Sequence, residues 1–309
     1  MDPVIARVTT TLSTAEATRV RRLARQAAEA DGVDALSEQT ILHLDAPAGE
    51  HRHVLLERGD HGASGAEEDN DDPLLGYAHL DHTEAEAGTE IVVAPGHRRH
   101  GVGTRGWREV RALVPDARVW AHGDLPPARA FARHLGLEVV RELIRMARPL
   151  DGLRDAEVTL PEGYSARTFT PDDVDAWVAL NARAFADHPE QGRVSADDLR
   201  ARMREPWFDA DGFFLVEAPA APDDGASRDL AAFHWTKTED GEGEVYVVGV
   251  DPDRQGLGLG KAATLLGLRH LADRGLARVT LYVDGNNTAA LATYRRLGFE
   301  QISLDVMYA

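Results

Sequence analysis

Two hydrophobic periods share the second half of the chain. Leu265, Leu268 and Leu271 recur at helical spacing and predict a helix over residues 259–273. Runs rich in β-branched and aromatic residues predict strands over 213–217, 230–236, 244–250 and 279–283. Residues 288–297 read as a helix stopped by Gly298, and 299–308 as a last strand. Thr170, with Asp173 three positions on, opens a helix that runs to about Phe185. The stretches 58–72 and 218–228, rich in acidic residues, glycine and proline, read as solvated connections.

Much of this pattern occurs twice. Ile91-Val92-Val93-Ala94-Pro95-Gly96-His97-Arg98, ending in Gly101-Val102-Gly103, is an apolar strand, a turn and a glycine loop. It recurs as Val248-Gly249-Val250-Asp251-Pro252-Asp253-Arg254-Gln255, ending in Gly258-Leu259-Gly260, at an offset of 157 residues (98 to 255). The helix start at Ser13 and Glu16 precedes that at Thr170 and Asp173 by the same 157. Arg133-His134-Leu135-Gly136-Leu137-Glu138 matches Arg295-Arg296-Leu297-Gly298-Phe299-Glu300 at 162. Three matches in one order indicate a tandem duplication with its joint near residues 148–151, hence domains over 1–150 and 151–309.

Composition narrows the class. Of 309 residues, 43% are hydrophobic and 28% charged, enough to bury ordinary cores. The formal net charge of −18 repels phosphate backbones and argues against a nucleic-acid partner. No cysteine is present, which removes disulfides, thiolate zinc sites and cysteine nucleophiles. Neither a signal peptide nor a stretch of about 18 apolar residues is seen, so a cytoplasmic protein off the membrane is expected, and a monomer. His79 with His82, and His97 with His100, lack further ligands at metal-binding spacing, so no metal is expected. Only two lysines occur, Lys237 and Lys261; a codon bias towards arginine is the plain explanation, and a place where an ammonium is required is the alternative.

Gln255-x-x-Gly258-x-Gly260 lets the backbone approach a pyrophosphate closely, with successive N–H groups of the helix start aimed at the anion. It is neither the dinucleotide fingerprint nor a P-loop, having a different spacing and no Lys-Ser/Thr pair after the glycines. Together with Asn286-Asn287-Thr288-Ala289-Ala290 and Tyr294-x-x-x-Gly298-Phe299, this loop resembles the GCN5-related N-acetyltransferases. The tandem arrangement, with Phe233-His234-Trp235-Thr236-Lys237 and Glu244-Val245-Tyr246-Val247-Val248-Gly249-Val250, is similar to the mycothiol synthase family.

The resemblance implies an α/β (α+β) fold of two tandem acetyltransferase domains, each a mixed, largely antiparallel sheet flanked by helices. It implies acetyl-CoA as co-substrate and, as acceptor, the cysteinyl amine of Cys-GlcN-Ins. It places the coenzyme on Val248, Gly249 and Val250, on Gln255, Gly256, Leu257, Gly258, Leu259, Gly260 and Lys261, and on Asn287, Thr288, Ala289, Ala290, Leu291 and Ala292. In the first copy the corresponding positions are Ile91, Val92 and Val93, then Arg99, His100, Gly101, Val102, Gly103 and Thr104. Acceptor contacts carry over onto Glu38, Glu190, Lys237, Glu244 and Tyr282.

An amine must lose a proton before it attacks a thioester, and Glu244 is the expected base; a solvated strand-edge glutamate is the plain alternative. Tyr294 is the expected donor to the leaving thiolate, with a core tyrosine as alternative. Gly249 within an apolar strand suggests a bulge, against simple packing. At the two offsets Glu244 falls on Ala87 and Tyr294 on Ala132, so the first copy is expected to bind acetyl-CoA without turning it over. Glu84, Glu86 and Glu90 lie nearby, and no residue replaces the tyrosine. Two other readings stay open: the same fold acting on another amine or a protein N-terminus, and a non-catalytic acyl-CoA-binding module.

Overall fold

The computed structural model describes residues 3–49, 51–59, 72–81, 88–186, 188, 191–219, 229–239 and 241–309. Most of the two predicted connections, and Glu84, Glu86, Ala87 and Glu190, lie outside the described residues. The chain divides into two compact units, Met1–Glu142 with Leu304–Ala309, and Leu143–Ser303. The repeat put the joint near 148–151; the contacts divide the chain a few residues earlier and return its end to the first unit.

The first unit runs β1 (Val4–Thr9), α1 (Thr14–Asp31), α2 (Glu38–His43), β2 (His51–Arg58), β3 (Gly76–Asp81), β4 (Gly88–Val93), α3 (Val102–Leu113), β5 (Arg118–Ala121), α4 (Pro126–Leu135) and the start of β6 (Val139–Pro149). β1 to β4 are antiparallel neighbours, β5 joins β4 in parallel, and Val306–Tyr308 pair antiparallel with β5. The period of two sorts the core. Leu55 and Tyr77 meet Val20 and Leu23 of α1, while Val54, Leu56, Ala78 and Leu80 meet Trp107 and Val110 of α3. Burying each such leucine contributes about 1.5–3 kcal/mol. Ser13 and Glu16 form the expected reciprocal cap at the start of α1, and Gly32, at φ +71°, ends it.

The second unit repeats the plan with β7 (Ser165–Thr168), α5 (Val174–Ala184), α6 (Ala196–Arg202), β8 (Phe213–Glu217), β9 (Leu230–Glu239), β10 (Glu242–Val250), α7 (Leu259–Asp273), β11 (Arg278–Asp284), α8 (Thr288–Arg296) and β12 (Glu300–Tyr308), whose last residues count with the first unit. β7 to β10 are antiparallel, β11 joins β10 in parallel, and β6 follows β11 antiparallel. Leu215, Phe233 and Trp235 face Trp177 of α5; Val216 and Ala232 face Leu259 and Ala263 of α7. Thr170 and Asp173 cap each other reciprocally before α5, as expected. Among the described residues no helix is long and apolar enough to cross a membrane.

Candidate active site

The parallel ladder between β10 and β11 holds two pairs, Gly243 with Val279 and Glu244 with Thr280. β10 runs on to Val250, so beyond Glu244 its edge towards β11 carries backbone groups that the ladder does not use, where an extended ligand can bind. Glu244 stands half-buried at this fork. Its partner on the other side is Lys237 of β9, whose ammonium lies 2.7 Å from the Glu239 carboxylate and 5.2 Å from the Trp207 ring centre. Tyr282, two residues past Thr280, is 47% exposed, and the Arg145 guanidinium covers its ring at 5.6 Å. Neighbouring strands thus bring Lys237, Glu244 and Tyr282 together. Glu38 is the first residue of α2, in the first unit.

Gly249 does not mark a bulge. It stays in register with Phe233, and the irregularity falls between Val245 and Val247, leaving Tyr246 unpaired. Glycine is needed at 249 for space, since a Cβ would sit 2.6 Å from the Phe233 ring. Val248 and Val250 flank it on the strand end that leads into the loop. Asp251 receives the Asp253 N–H at 3.0 Å and the Arg183 guanidinium at 2.8 Å, which pins that loop to α5.

Gly256 and Gly258 follow at φ +80° and +83°, a backbone that side chains with a Cβ rarely adopt. α7 starts at Gly258 without a side-chain cap, so the N–H groups of its first turn, from Leu259, Gly260 and Lys261, remain for an anion. A pyrophosphate fits that donor set. Gln255 and Leu257 complete the loop. Asn287 accepts the Ala290 N–H at 3.1 Å and so fixes the start of α8, through Thr288, Ala289, Leu291 and Ala292.

Tyr294 follows on α8, 7% exposed and edge-on to Phe299. Burial raises its phenol well above the usual range, so at neutral pH it carries its proton.

The first unit has a related but altered fork. Its parallel ladder continues to Glu90 and Trp120, and β4 pairs with β3 without a bulge. Ile91, Val92 and Val93 line a cavity of about 550 Å³ with Arg99, Gly101, Gly103, Thr104, Phe131, Ala132 and Tyr308. Gly101, at φ +81°, opens α3 without a side-chain cap, as Gly258 opens α7; Val102 is buried and His100 exposed. Arg98 makes two 2.7 Å bonds to Asp31, so this guanidinium is already engaged.

Glu90, 6% exposed, accepts the Ser37 N–H at 3.0 Å and bonds His122 Nε2 at 2.9 Å. Burial would depress the His122 imidazolium, but Asp305 and Glu90 override it and raise it to about 10. Burial would likewise raise the Glu90 carboxyl, but His122 and Ser37 hold it below the usual range. The carboxylate near the Ala87 position is therefore committed to an ion network. No tyrosine lies near Ala132 in the sequence to take the part of Tyr294. The fold supplies Tyr308 at the cavity, its hydroxyl donating to Asp124 at 2.8 Å and raised to about 12 by burial and that bond. Nothing in the repeat signals it, because Tyr308 comes from the far end of the chain.

His79 clusters with buried His51 and His53 and half-buried His43, ring centres 4.6–6.0 Å apart. Among the described residues no group of three or more side chains could hold a metal ion.

Two glycine-capped helices, each beside a forked parallel strand pair, define a tandem acyltransferase. The acetyltransferase (GNAT) family model matches residues 21–137 and 176–299, one stretch in each unit. The chain is 48% identical to the mycothiol acetyltransferase of Salinispora arenicola, covering 99% of this chain and 98% of that one. It is 50% identical to the mycothiol acetyltransferase of Thermomonospora curvata, covering 96% and 94%. The chain therefore belongs to the acetyltransferase (GNAT) family and, within it, to the mycothiol acetyltransferases. In fold it is similar to a GCN5-related N-acetyltransferase from Sphaerobacter thermophilus, with a TM-score of 0.73, 22% identity and 100% and 96% coverage. A tandem GNAT protein from the clavulanic acid biosynthesis pathway superposes with a TM-score of 0.70, 18% identity and 99% and 98% coverage.

Proposed function

We propose that the second unit transfers the acetyl group of acetyl-CoA to the cysteinyl amine of Cys-GlcN-Ins, giving mycothiol and CoA. The observation that carries this reading is Glu244 at the β10–β11 fork, directly across from Lys237 and just upstream of the α7 glycine loop. Acetyl-CoA, when bound, supplies the activated acyl group as a thioester. The residues of the chain do the rest. First-turn N–H groups of α7 hold the pyrophosphate. Backbone groups of β10 beyond Glu244 align the arm of the coenzyme and polarise the carbonyl. Glu244, directly or through a water, takes the proton from the acceptor ammonium. Tyr294, kept protonated by burial, gives its proton to the departing thiolate and is restored by the second proton that leaves the attacking nitrogen. Lys237 and Tyr282 orient the acceptor beside Glu244.

The first unit, on the same reading, binds acetyl-CoA along Ile91–Val93 and the α3 start but does not turn it over. Its fork presents a carboxylate already bound to His122, and Ala132 stands where Tyr294 acts. The enzyme works in the cytoplasm, where acetyl-CoA is found. The test is release of CoA thiol on mixing the purified chain with acetyl-CoA and Cys-GlcN-Ins. No release above the uncatalysed rate, or equal release with a simple polyamine, sinks the assignment.

A further inference from the structure

Two cations resting on aromatic rings frame Glu244. On β9 the Lys237 ammonium lies over Trp207. On the other side Arg145 of β6, the direct partner of Tyr282, lies over the Tyr282 ring. The second pair is less complete in its hydrogen bonding than the first. Lys237 has the Glu239 carboxylate at 2.7 Å, whereas Arg145 has Glu242 at 3.6 Å, on a side chain 58% exposed. The Arg145 Nε is buried and donates to no atom of the described residues. Glu242 precedes Glu244 by two residues and so shares its face of the strand.

A guanidinium offers five donors in a plane and suits acceptors that come in adjacent pairs. The Tyr282 ring lies against one side of the guanidinium, while the loose contact to Glu242 leaves donors uncommitted. The acceptor proposed above carries its amine at one end and hydroxyl-bearing rings at the other. With Glu244 at the amine, a group two strands along the sheet, on β6 beyond β11, is placed for the polyol. We propose that Arg145 is an acceptor-binding residue whose guanidinium donates to a pair of adjacent hydroxyls on the polyol part of the substrate, with Tyr282 as the ring it lies against. This rests on the transferase reading of the second unit and adds a determinant of its specificity.

Arg145→Met keeps the length of the stem and removes every donor. It should raise KM for Cys-GlcN-Ins about 10–100-fold, as for lost hydrogen bonds to a charged group, with kcat within about two-fold and KM for acetyl-CoA unchanged. GlcN-Ins carries the polyol without the cysteinyl amine, so it should inhibit the wild type competitively and lose that inhibition in the variant by a similar factor. Arg145→Lys should recover little, since an ammonium lacks the planar fork. It also serves as the test if the methionine variant fails to fold. An unchanged KM, a fall in kcat at constant KM, or no inhibition of the wild type by GlcN-Ins overturns the proposal. A wild-type chain that releases no CoA with Cys-GlcN-Ins instead overturns the underlying transferase reading.

Discussion

Glu244 and Lys237 face each other across β10 and β9, at the residue where β10 loses its parallel neighbour. The carboxylate proposed to accept a proton is thereby set beside a cation. That cation is itself drawn towards Glu239, 2.7 Å away, and towards the face of Trp207. Lys237 therefore does not have to be neutralised by Glu244. Three carboxylates, Glu239, Glu242 and Glu244, against Lys237 and Arg145 leave this patch suited to an acceptor that arrives as an ammonium.

Glu244→Gln keeps the shape and most hydrogen bonding of the side chain and removes its basicity. Turnover should fall about 10²–10⁴-fold, with acetyl-CoA affinity by calorimetry unchanged and the melting temperature close to wild type. Turnover near the wild-type value at neutral pH would show that the proton leaves by another route.

Tyr294→Phe should separate chemistry from packing. The ring keeps its edge contact with Phe299, so stability should change little, while kcat and kcat/KM fall together. Because burial holds the phenol protonated well past neutral pH, wild-type activity should show no loss between pH 7 and 9 attributable to this group. A variant that turns over normally makes the tyrosine a core residue only.

What was legible in the sequence was local. The reciprocal caps at Ser13 with Glu16 and at Thr170 with Asp173 involve neighbours three apart, and the α7 loop declares itself through glycines whose positive φ leaves few other residues possible. Gly249 was misread because a strand glycine has two causes, a bulge or a close neighbour, and only the position of the Phe233 ring decides between them. Arg145, Trp207 and Tyr308 escaped for a different reason. Each acquires its place through a partner far away in sequence, Tyr282, Lys237 and Asp124 respectively. The commitment of Glu90 to His122 and Ser37 is likewise a tertiary fact.

Replacing Gly258 by valine forces a β-branched residue to φ +83°, a strain of about 1–3 kcal/mol, in the loop proposed to hold the pyrophosphate. Turnover should be lost. The same change at Gly101, at φ +81°, should remove one of two acetyl-CoA sites by calorimetry and leave most of the activity. Loss of turnover from Gly101→Val, with the fold and the other site intact, would assign the chemistry to the wrong unit.

Stability should be highest near neutral pH and fall on both sides, for opposite reasons. His53 and His79 lie among His43 and His51; burial first, and neighbouring imidazoles next, push His53 down to about 3, while burial outweighs Glu90 and Asp81 to bring His79 to about 4. Unfolded, both titrate near 6.5. Below that value the unfolded chain binds protons that the folded chain refuses, so their contribution is whole above pH 6.5 and drains away as pH falls towards 4 and then 3. His234 in the second unit, fully buried and lowered to about 4, adds to the same acid limb. His122 runs the other way. Held protonated to about 10 by Asp305 and Glu90, it contributes fully below pH 6.5 and loses that contribution as pH rises towards 10. Urea midpoints of the full chain between pH 4 and 9 should trace this dome, and hydrogen exchange in β2 and β3 should accelerate first on the acid side. His122→Gln keeps a donor to Glu90 without a titration, so it should flatten the alkaline limb. An alkaline slope identical to wild type would place the pH dependence outside the Glu90–His122–Asp305 network.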